Sequence, residues 1–326
     1  MPSKTFYTNQ FSTKIYEDKT GRQVNITAVG EILWDVYPDE KRLGGAPFNF
    51  IYHIHKILGN ANFISSVGKD ANGKELLTFL SSFGFNTKPI SIDKIHPTGT
   101  VNVTLDENKI PIFKIASECS FDHLSLNRAA LKIIDKETDL LYFGTFTTRK
   151  ELSRKTVSSL LNYPNKKYFC DLNLRHDFYT KEFVEKTLKV SNVIKINELE
   201  LEILKRLFAL PNDNFFAINV LIEKFNIELV GLTLGEKCSE LYTASESDKF
   251  RRIVQEPVID TLGAGDAFAA ILCLGYLFNL PLKQINTLAN DFALEICMVN
   301  GALPKNNKIY KKYKTAFQVS RLQPLK

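Results

Sequence analysis

From Val24 onward, short apolar runs ending on glycine or on polar residues alternate with longer stretches of helical period. Val24–Gly30 reads as a buried strand. Glu31–Tyr37 follows with alternation, Ile32 and Trp34 against Leu33 and Asp35. Leu43-Gly44-Gly45-Ala46-Pro47 marks a turn into a helix over Phe50–Leu58, with proline tolerated in the first turn. A strand over Asn62–Val67 and a helix over Lys74–Phe83 come next. Residues 97–105 alternate cleanly, turn at Asp106–Lys109 and return through 110–116, which predicts a hairpin with one apolar and one polar face. Beyond it the pattern is regular. Helices over Leu126–Lys136, Lys150–Leu161, Lys181–Val190, Leu199–Phe208 and Ile218–Phe225 interleave with strands at Leu140–Gly144, Tyr168–Leu172, Val193–Ile196 and Glu228–Leu234. Helices starting near Ala264 and spanning Leu282–Val299 come last, before a glycine stop at Gly301 and a polar, lysine-rich end.

Strands alternating with helices imply an α/β fold whose mostly parallel central sheet is covered on both faces. The hairpin interrupts that series, so a small separate sheet is expected beside it. Ligands in such folds bind beyond the carboxyl ends of the strands. Three polar strand ends stand out there: Asp171–Arg175, Lys195–Glu200 and Thr233–Gly235. Each alone reads as a loop or a cap, and Asn197 suits the N-cap of the helix that follows it.

The stretch Val258–Leu272 carries the chemistry. Gly263 and Gly265 lie one residue apart between Asp260 and Asp266, ahead of an alanine-rich apolar helix. Glycine pairs cost helix stability, so they belong at its start. Unpaired N–H groups there carry the positive end of the helix dipole and suit a phosphate. Asp266 is then either an ordinary first-turn acid or a general base beside the anion. No Gly-Lys-Ser or Gly-Lys-Thr occurs, which excludes a Walker loop.

The 326 residues carry 42 basic and 36 acidic side chains, a net charge of +6, too well mixed to point to nucleic acid. The lysines at 305, 308, 311, 312, 314 and 326 read as a solvated tail face. Five dispersed cysteines without a CxxC pair argue for reduced thiols and a cytoplasmic setting. No run approaches the ~20 apolar residues of a membrane span, and the first twenty residues lack a signal-peptide core.

Asp260–Asp266, DTLGAGD, resembles the signature of the ribokinase-like sugar kinases, a family that includes fructokinases and adenosine kinases. Gly30–Asn49, GEILWDVYPDEKRLGGAPFN, resembles the sugar-binding segment of bacterial fructokinases. Val67–Leu77, Asp171–Arg175 and Asn197–Glu200 resemble the VGxDxxG, DxNxR and Asn-x-x-Glu segments. Thr233–Leu241 resembles the nucleotide-side segment but has Cys238 where glycine is usual, so an altered turn is expected. The resemblance implies a ribokinase-like three-layer sandwich over 24–304, with a β-sheet lid from about 31–43 and 97–116. Residues 1–23 and 305–326 are left as an amino-terminal extension and a tail.

It also implies ATP-dependent, magnesium-assisted phosphorylation of a sugar hydroxyl, with fructose as the leading acceptor. Asp266 would be the base, and the N–H groups of Gly263, Ala264 and Gly265 the anion hole. Asp35, Gly44, Gly45, Asn49, Asn102 and Arg175 would face the sugar. Asn197, Thr233, Gly235, Gly265 and Asn290 would face the nucleotide. Asn197 and Glu200 would organise Mg2+ through water, and Asp260 with the Leu262 carbonyl would hold K+ or Na+. A homodimer through the exposed lid edge is a further expectation. Sister kinases for 2-keto-3-deoxygluconate, inositol or a nucleoside, and a silent sugar sensor on the same fold, are the rival readings.

Overall fold

A computed structural model of the chain describes residues 24–105, 111–175, 178–235, 238–251 and 258–319. The first strand, β1 (Ile26–Val29), is fully buried and runs through Gly30 into β2 (Leu33–Val36) and β3 (Lys41–Gly44). Helix α1 (Ala46–Leu58) starts on Gly45 at φ 107° with Pro47 in its first turn. The expected strand over 62–67 is two strands. β4 (Asn62–Ile64) joins the central sheet and β5 (Ser66–Gly68) leaves it, because the Ser65 hydroxyl donates back to the Gly30 carbonyl at 2.6 Å. Helix α2 (Ala71–Ser82) begins three residues earlier than its apolar pattern, since Asp70 caps it by accepting from the Gly73 N–H at 2.8 Å. β6 (Ser91–Asp93), which the apolar pattern does not predict, pairs with β5.

The hairpin is β7 (Gly99–Leu105) and β8 (Pro111–Ile115); its tip at 106–109 lies outside the described residues. It does not stand alone. β7 pairs in parallel with β2, giving a four-stranded sheet in the order β3-β2-β7-β8. This lid hangs from the carboxyl end of β1 and from the start of α1. Leu33, Val101, Cys119, Phe121 and Phe146 fill its small core.

The rest follows the βα alternation. Helices α3 (Arg128–Glu137), α4 (Glu151–Leu160), α5 (Lys181–Val190), α6 (Glu198–Phe208) and α7 (Asn214–Phe225) connect β9 (Leu140–Gly144), β10 (Lys167–Asp171), β11 (Val193–Asn197) and β12 (Leu229–Thr233). Helix α7 starts four residues before its apolar pattern because Asp213 caps it. β13 (Cys238–Tyr242) and β14 (Ser247–Arg251) add an antiparallel edge that the apolar pattern does not predict. Cys238 opens β13 in extended backbone; the positive φ, 63°, falls on Gly235, so the residue type at 238 does not strain the turn.

The central sheet runs β14-β13-β12-β11-β10-β9-β1-β4. Successive side chains reach opposite faces. Leu140 and Tyr142 join the core under α1, α8 (Ala264–Leu277) and α9 (Leu282–Cys297), while Leu141 and Phe143 join the core under α3–α7. The fold is thus the expected α/β three-layer sandwich with a β-sheet lid.

Lys311, Lys312 and Lys314 lie on a solvated face, and that face belongs to a helix. α10 (Tyr310–Val319) is amphipathic, burying Tyr310, Tyr313 and Phe317 in the core beside α1 and α9, with Lys311, Lys312 and Lys314 on the solvated side. Tyr310 OH lies 2.9 Å from Nδ1 of the buried His53 on α1. The lysines hid a three-aromatic stripe that the core needs. No described helix is long and apolar enough to cross a membrane.

Candidate active site

The carboxyl ends of β1, β9, β10, β11 and β12 open on one rim, because all five strands run parallel. Helix α8 points its amino terminus at that rim. Its cap is Gly263, at φ 79°, and a side chain at Gly263 would collide with Ala302. The turn therefore needs glycine twice over, for its dihedral and for its contact. No acceptor among the described residues takes the N–H groups of Gly263 and Gly265, whereas that of Ala264 turns back to the Thr261 carbonyl at 3.3 Å.

Asp266 sits in the first turn of α8. Asn49, in the first turn of α1 and 217 residues away in sequence, donates from Nδ2 to its Oδ2 at 2.8 Å. Burial pushes the Asp266 carboxyl up to about 7, and the charge of Asp171 adds to this. The Asn49 hydrogen bond and the charges of Lys195 and Arg175 oppose the rise. Asn49 is buried, and its Oδ1 has no partner among the described residues. A buried acceptor without a donor costs free energy until something donates to it.

Asp35 lies on β2 and is 6% exposed. Its carboxylate packs against the Cα of Gly44, where any side chain would overlap it. Burial raises it to about 6, against the charges of Arg175 and Arg42. Gly45 caps α1 and faces the Glu31 carbonyl. Arg175 is exposed, yet its charge acts on Glu31, Asp35, Asp171 and Asp266 together, which places it over the same cleft. Asn102, on β7 opposite Val36, is exposed and has no hydrogen bond to this group.

On the other side of α8, Asn197 caps α6. Its side chain accepts from the Glu200 N–H at 2.9 Å, and Glu200 Oε2 accepts from the Asn197 N–H at 2.8 Å. Glu200 Oε1 also accepts from the Leu174 N–H at 3.0 Å. Both carboxylate oxygens are therefore tied to backbone, which suits contact with a hydrated Mg2+ better than direct ligation. Thr233 closes β12 with its hydroxyl toward the Ile196 carbonyl, 3.4 Å away, and Gly235 is exposed beyond it. Asn290 donates from its amide to the Ser239 hydroxyl of β13 at 2.6 Å, which ties α9 to the sheet edge, and to the Asn286 carbonyl one turn back on α9 at 2.7 Å. Its side chain thus has a structural duty that its position did not reveal.

Asp260 accepts from the Leu262 N–H and the Gly301 N–H, each at 3.0 Å. The Arg42 guanidinium of β3 stands 3.5 Å from the same carboxylate and also lies over the Tyr37 ring, 4.4 Å from its centre. A K+ or Na+ ion at Asp260 would share its ligand with a tethered cation.

Lys195 stands at the centre of this rim, although the motifs do not single it out. Its ammonium is buried 3.2 Å from both oxygens of Asp171, and a side chain at Gly265 would reach within 3.1 Å of it. A positive charge thus lies directly under the Gly263–Gly265 turn. The signal is present in the chain: a lone lysine in the apolar strand Val193–Asn197, in register with Asp171 on β10. The motifs do not single out Glu31 either; it is 2% exposed, hydrogen-bonded by the Thr147 hydroxyl, and its carboxyl is raised by burial.

Residues 24–308 match the model of the pfkB family of carbohydrate kinases. An uncharacterized sugar kinase of Pyrococcus horikoshii is 29% identical over 311 residues, spanning 88% of this chain and 91% of its own. A fructokinase of Salmonella typhimurium is 28% identical over 307 residues, 87% of this chain and 94% of its own. Among solved structures, fructokinase with bound ATP from Xylella fastidiosa superposes with a TM-score of 0.76 at 18% identity, over 90% of this chain and 99% of that one.

Proposed function

The chain belongs to the pfkB family of carbohydrate kinases, and we propose that within it the protein transfers the γ-phosphoryl group of ATP to a hydroxyl of D-fructose, giving fructose 6-phosphate. The observation that carries this reading is the Asp266–Asn49 pair at the amino terminus of α8. Asp266 has a carboxyl raised to about 7, matched to accepting a proton near neutral pH. Asn49 steadies it through Nδ2 and keeps Oδ1 for a sugar hydroxyl.

As the hydroxyl oxygen bonds to the γ-phosphorus, the bond to the ADP oxygen breaks and the hydroxyl proton passes to Asp266. The N–H groups of Gly263 and Gly265 and the Lys195 ammonium face the charge on the transferring group. Asp35, Gly44 and Gly45 form the sugar's floor under the lid, with Arg175 and Asn102 at its edge. Thr233 and Gly235 form the nucleotide side, with Asn290 at its back. Asn197 and Glu200 would reach Mg2+ through water, where the ion neutralises phosphate charge. Asp260 and the Leu262 carbonyl would hold K+ or Na+ in competition with Arg42. A cytoplasmic setting accords with the reduced cysteines, and a dimer through the lid edge with the unpaired flank of β8.

An ADP-release assay across fructose, other hexoses, 2-keto-3-deoxygluconate, inositol and nucleosides tests the acceptor. Fructose should give the highest kcat/KM. A tenfold preference for another acceptor reassigns the substrate, and ATP binding without turnover on any of them would favour a silent sensor.

A further inference from the structure

We propose that His96, Glu118 and His123 bind a zinc-type divalent cation at the base of the lid, apart from the phosphoryl-transfer centre. The three side chains come from the two ends of the β7–β8 hairpin. His96 lies just before β7. Glu118 follows β8, and His123 ends a short 3-10 turn over Ser120–His123. One ligand atom from each lies within 4.8 Å of the others. His123 Nε2 is 3.0 Å from Glu118 Oε1, and His96 Nε2 is 3.9 Å from it. The two imidazole rings are parallel to within 2°, with centroids 3.5 Å apart. A tetrahedral zinc ion with ligands at about 2.0–2.2 Å sets neighbouring ligand atoms roughly 3.3–3.5 Å apart. The two distances to Glu118 bracket that value, and the stacked rings have to tilt toward each other for both lone pairs to meet on one ion.

The far side of His96 supplies an independent observation. Its Nδ1 is 2.8 Å from Asp93 Oδ2, while Asp93 Oδ1 accepts the N–H groups of Ile95 at 2.7 Å and His96 at 3.0 Å. An ionised carboxylate only accepts, so Nδ1 carries the proton. In the neutral ring the free lone pair is then on Nε2, the nitrogen 3.9 Å from Glu118 Oε1, with the His123 ring stacked alongside. A carboxylate behind a histidine is the arrangement that orients the ring and strengthens it as a metal ligand. Two imidazole nitrogens and one carboxylate suit zinc and its first-row neighbours; magnesium and calcium prefer oxygen throughout. Three protein ligands leave a fourth position for water.

The ion would join residue 96 to residues 118 and 123. That closes the hairpin at its base, where the Ser120 N–H already reaches the Pro97 carbonyl at 2.8 Å. Zinc would brace the root of the lid without touching the reacting groups. The inference stands independently of the substrate assigned above.

The full chain, stripped with EDTA, is titrated with zinc chloride by calorimetry, with magnesium chloride in parallel. One zinc per chain is expected, and no magnesium heat at this site. Zinc at a hundred times its Kd should raise Tm by about 3–6 °C and slow amide exchange in Gly99–Leu105 and Pro111–Ile115. The H96Q/H123Q double variant should lose the zinc response. Asp93→Asn should weaken zinc binding by about 10–100-fold, although Asp93 is a positioning residue that does not touch the ion. The ligand side chains are partly exposed, so the double variant should match the parent Tm in EDTA. Zinc binding equally tight in the double variant, or absent from the parent, overturns the site. Zinc binding that leaves hairpin exchange unchanged overturns the bracing role.

Discussion

Replacing Asp266 by asparagine should cut kcat by at least about 10²-fold and, at the same time, make the folded chain more stable at alkaline pH. The two effects have one origin. Burial and the neighbouring Asp171 hold the Asp266 carboxyl at about 7 instead of 3.8. As pH rises past the ordinary aspartate range, the unfolded chain gives up this proton first. The folded chain keeps it until about pH 7, so folding is progressively disfavoured across that window and the loss is constant above it. Each tenfold change in proton affinity corresponds to about 1.4 kcal/mol, which sets a ceiling of about 4 kcal/mol. Access of water to the cleft reduces this to ~1–2 kcal/mol, a gain of a few degrees in Tm.

Asparagine keeps the size of the side chain and an oxygen for Asn49 Nδ2, but it carries no charge to desolvate. Its Tm advantage over the parent should be near zero at about pH 4, grow through about pH 5–7 and level off. ATP affinity should be equal or slightly better, since a negative charge beside the phosphates has gone. The ordinary first-turn reading of Asp266 makes the opposite forecast for stability: a loss of about 0.3–1 kcal/mol from the helix dipole, with turnover barely changed. Steady-state kinetics, ATP titration and melting curves from about pH 4 to 9 on one preparation separate the readings. Near-normal kcat refutes the base, and a Tm difference independent of pH refutes the electrostatic argument.

Asn49→Leu removes the hydrogen bond that lowers the Asp266 carboxyl, so the acid limb of the kcat/KM profile should move above its parent position near pH 7, with sugar KM up about tenfold; an unmoved limb counts against the pairing. Glu200→Gln should raise the magnesium requirement with sugar KM little changed, and should lower stability by about 0.5–2 kcal/mol because one capping bond is lost; collapse of sugar binding with unaltered metal dependence counts against the placement. Arg42→Gln should increase the activation by K+ over a bulky inert cation, since Asp260 loses its tethered partner; identical salt profiles argue that Arg42 does not compete there. The β7–β8 hairpin should exchange amide hydrogens faster without sugar than with it, and equal protection in both states argues against a lid that opens.

The layered architecture was legible because the apolar periods are local. Leu140–Gly144 and Lys181–Val190 have in the structure the limits that their patterns predict. Capping residues moved the limits of α2 and α7, where Asp70 and Asp213 begin the helix ahead of its apolar face. The antiparallel β13–β14 edge was missed because Ser247–Arg251 alternates between exposed and half-buried, with little apolar contrast. α10 was missed for the opposite reason: charge masked Tyr310, Tyr313 and Phe317, whose period of three to four residues marks a buried stripe.

The site divides in the same way. Motif adjacency reveals Asp266, Gly263 and Asn49 because each lies in a turn with its own local grammar. It reveals nothing of what sets their electrostatics, which comes from strands far apart in sequence. Glu31, Asp35, Asp171, Glu200 and Asp266 are all drawn to one rim, and burial raises the carboxyl of each. Against them stand Lys195, buried, and Arg175 and Arg42 nearer solvent. Such a rim repels a polyphosphate unless positive charge comes with it or is already fixed. The amino terminus of α8 and the Lys195 ammonium fix part of that charge beneath the turn. Under the proposed reaction the remainder has to arrive with the nucleotide as a metal ion, and Glu200 is placed to meet its hydration shell. Burial, with the charge of Asp171 added, holds the Asp266 carboxyl at about 7, so under the proposed reaction the rim that would suit it to act as a base near neutrality also ties phosphate binding to cations.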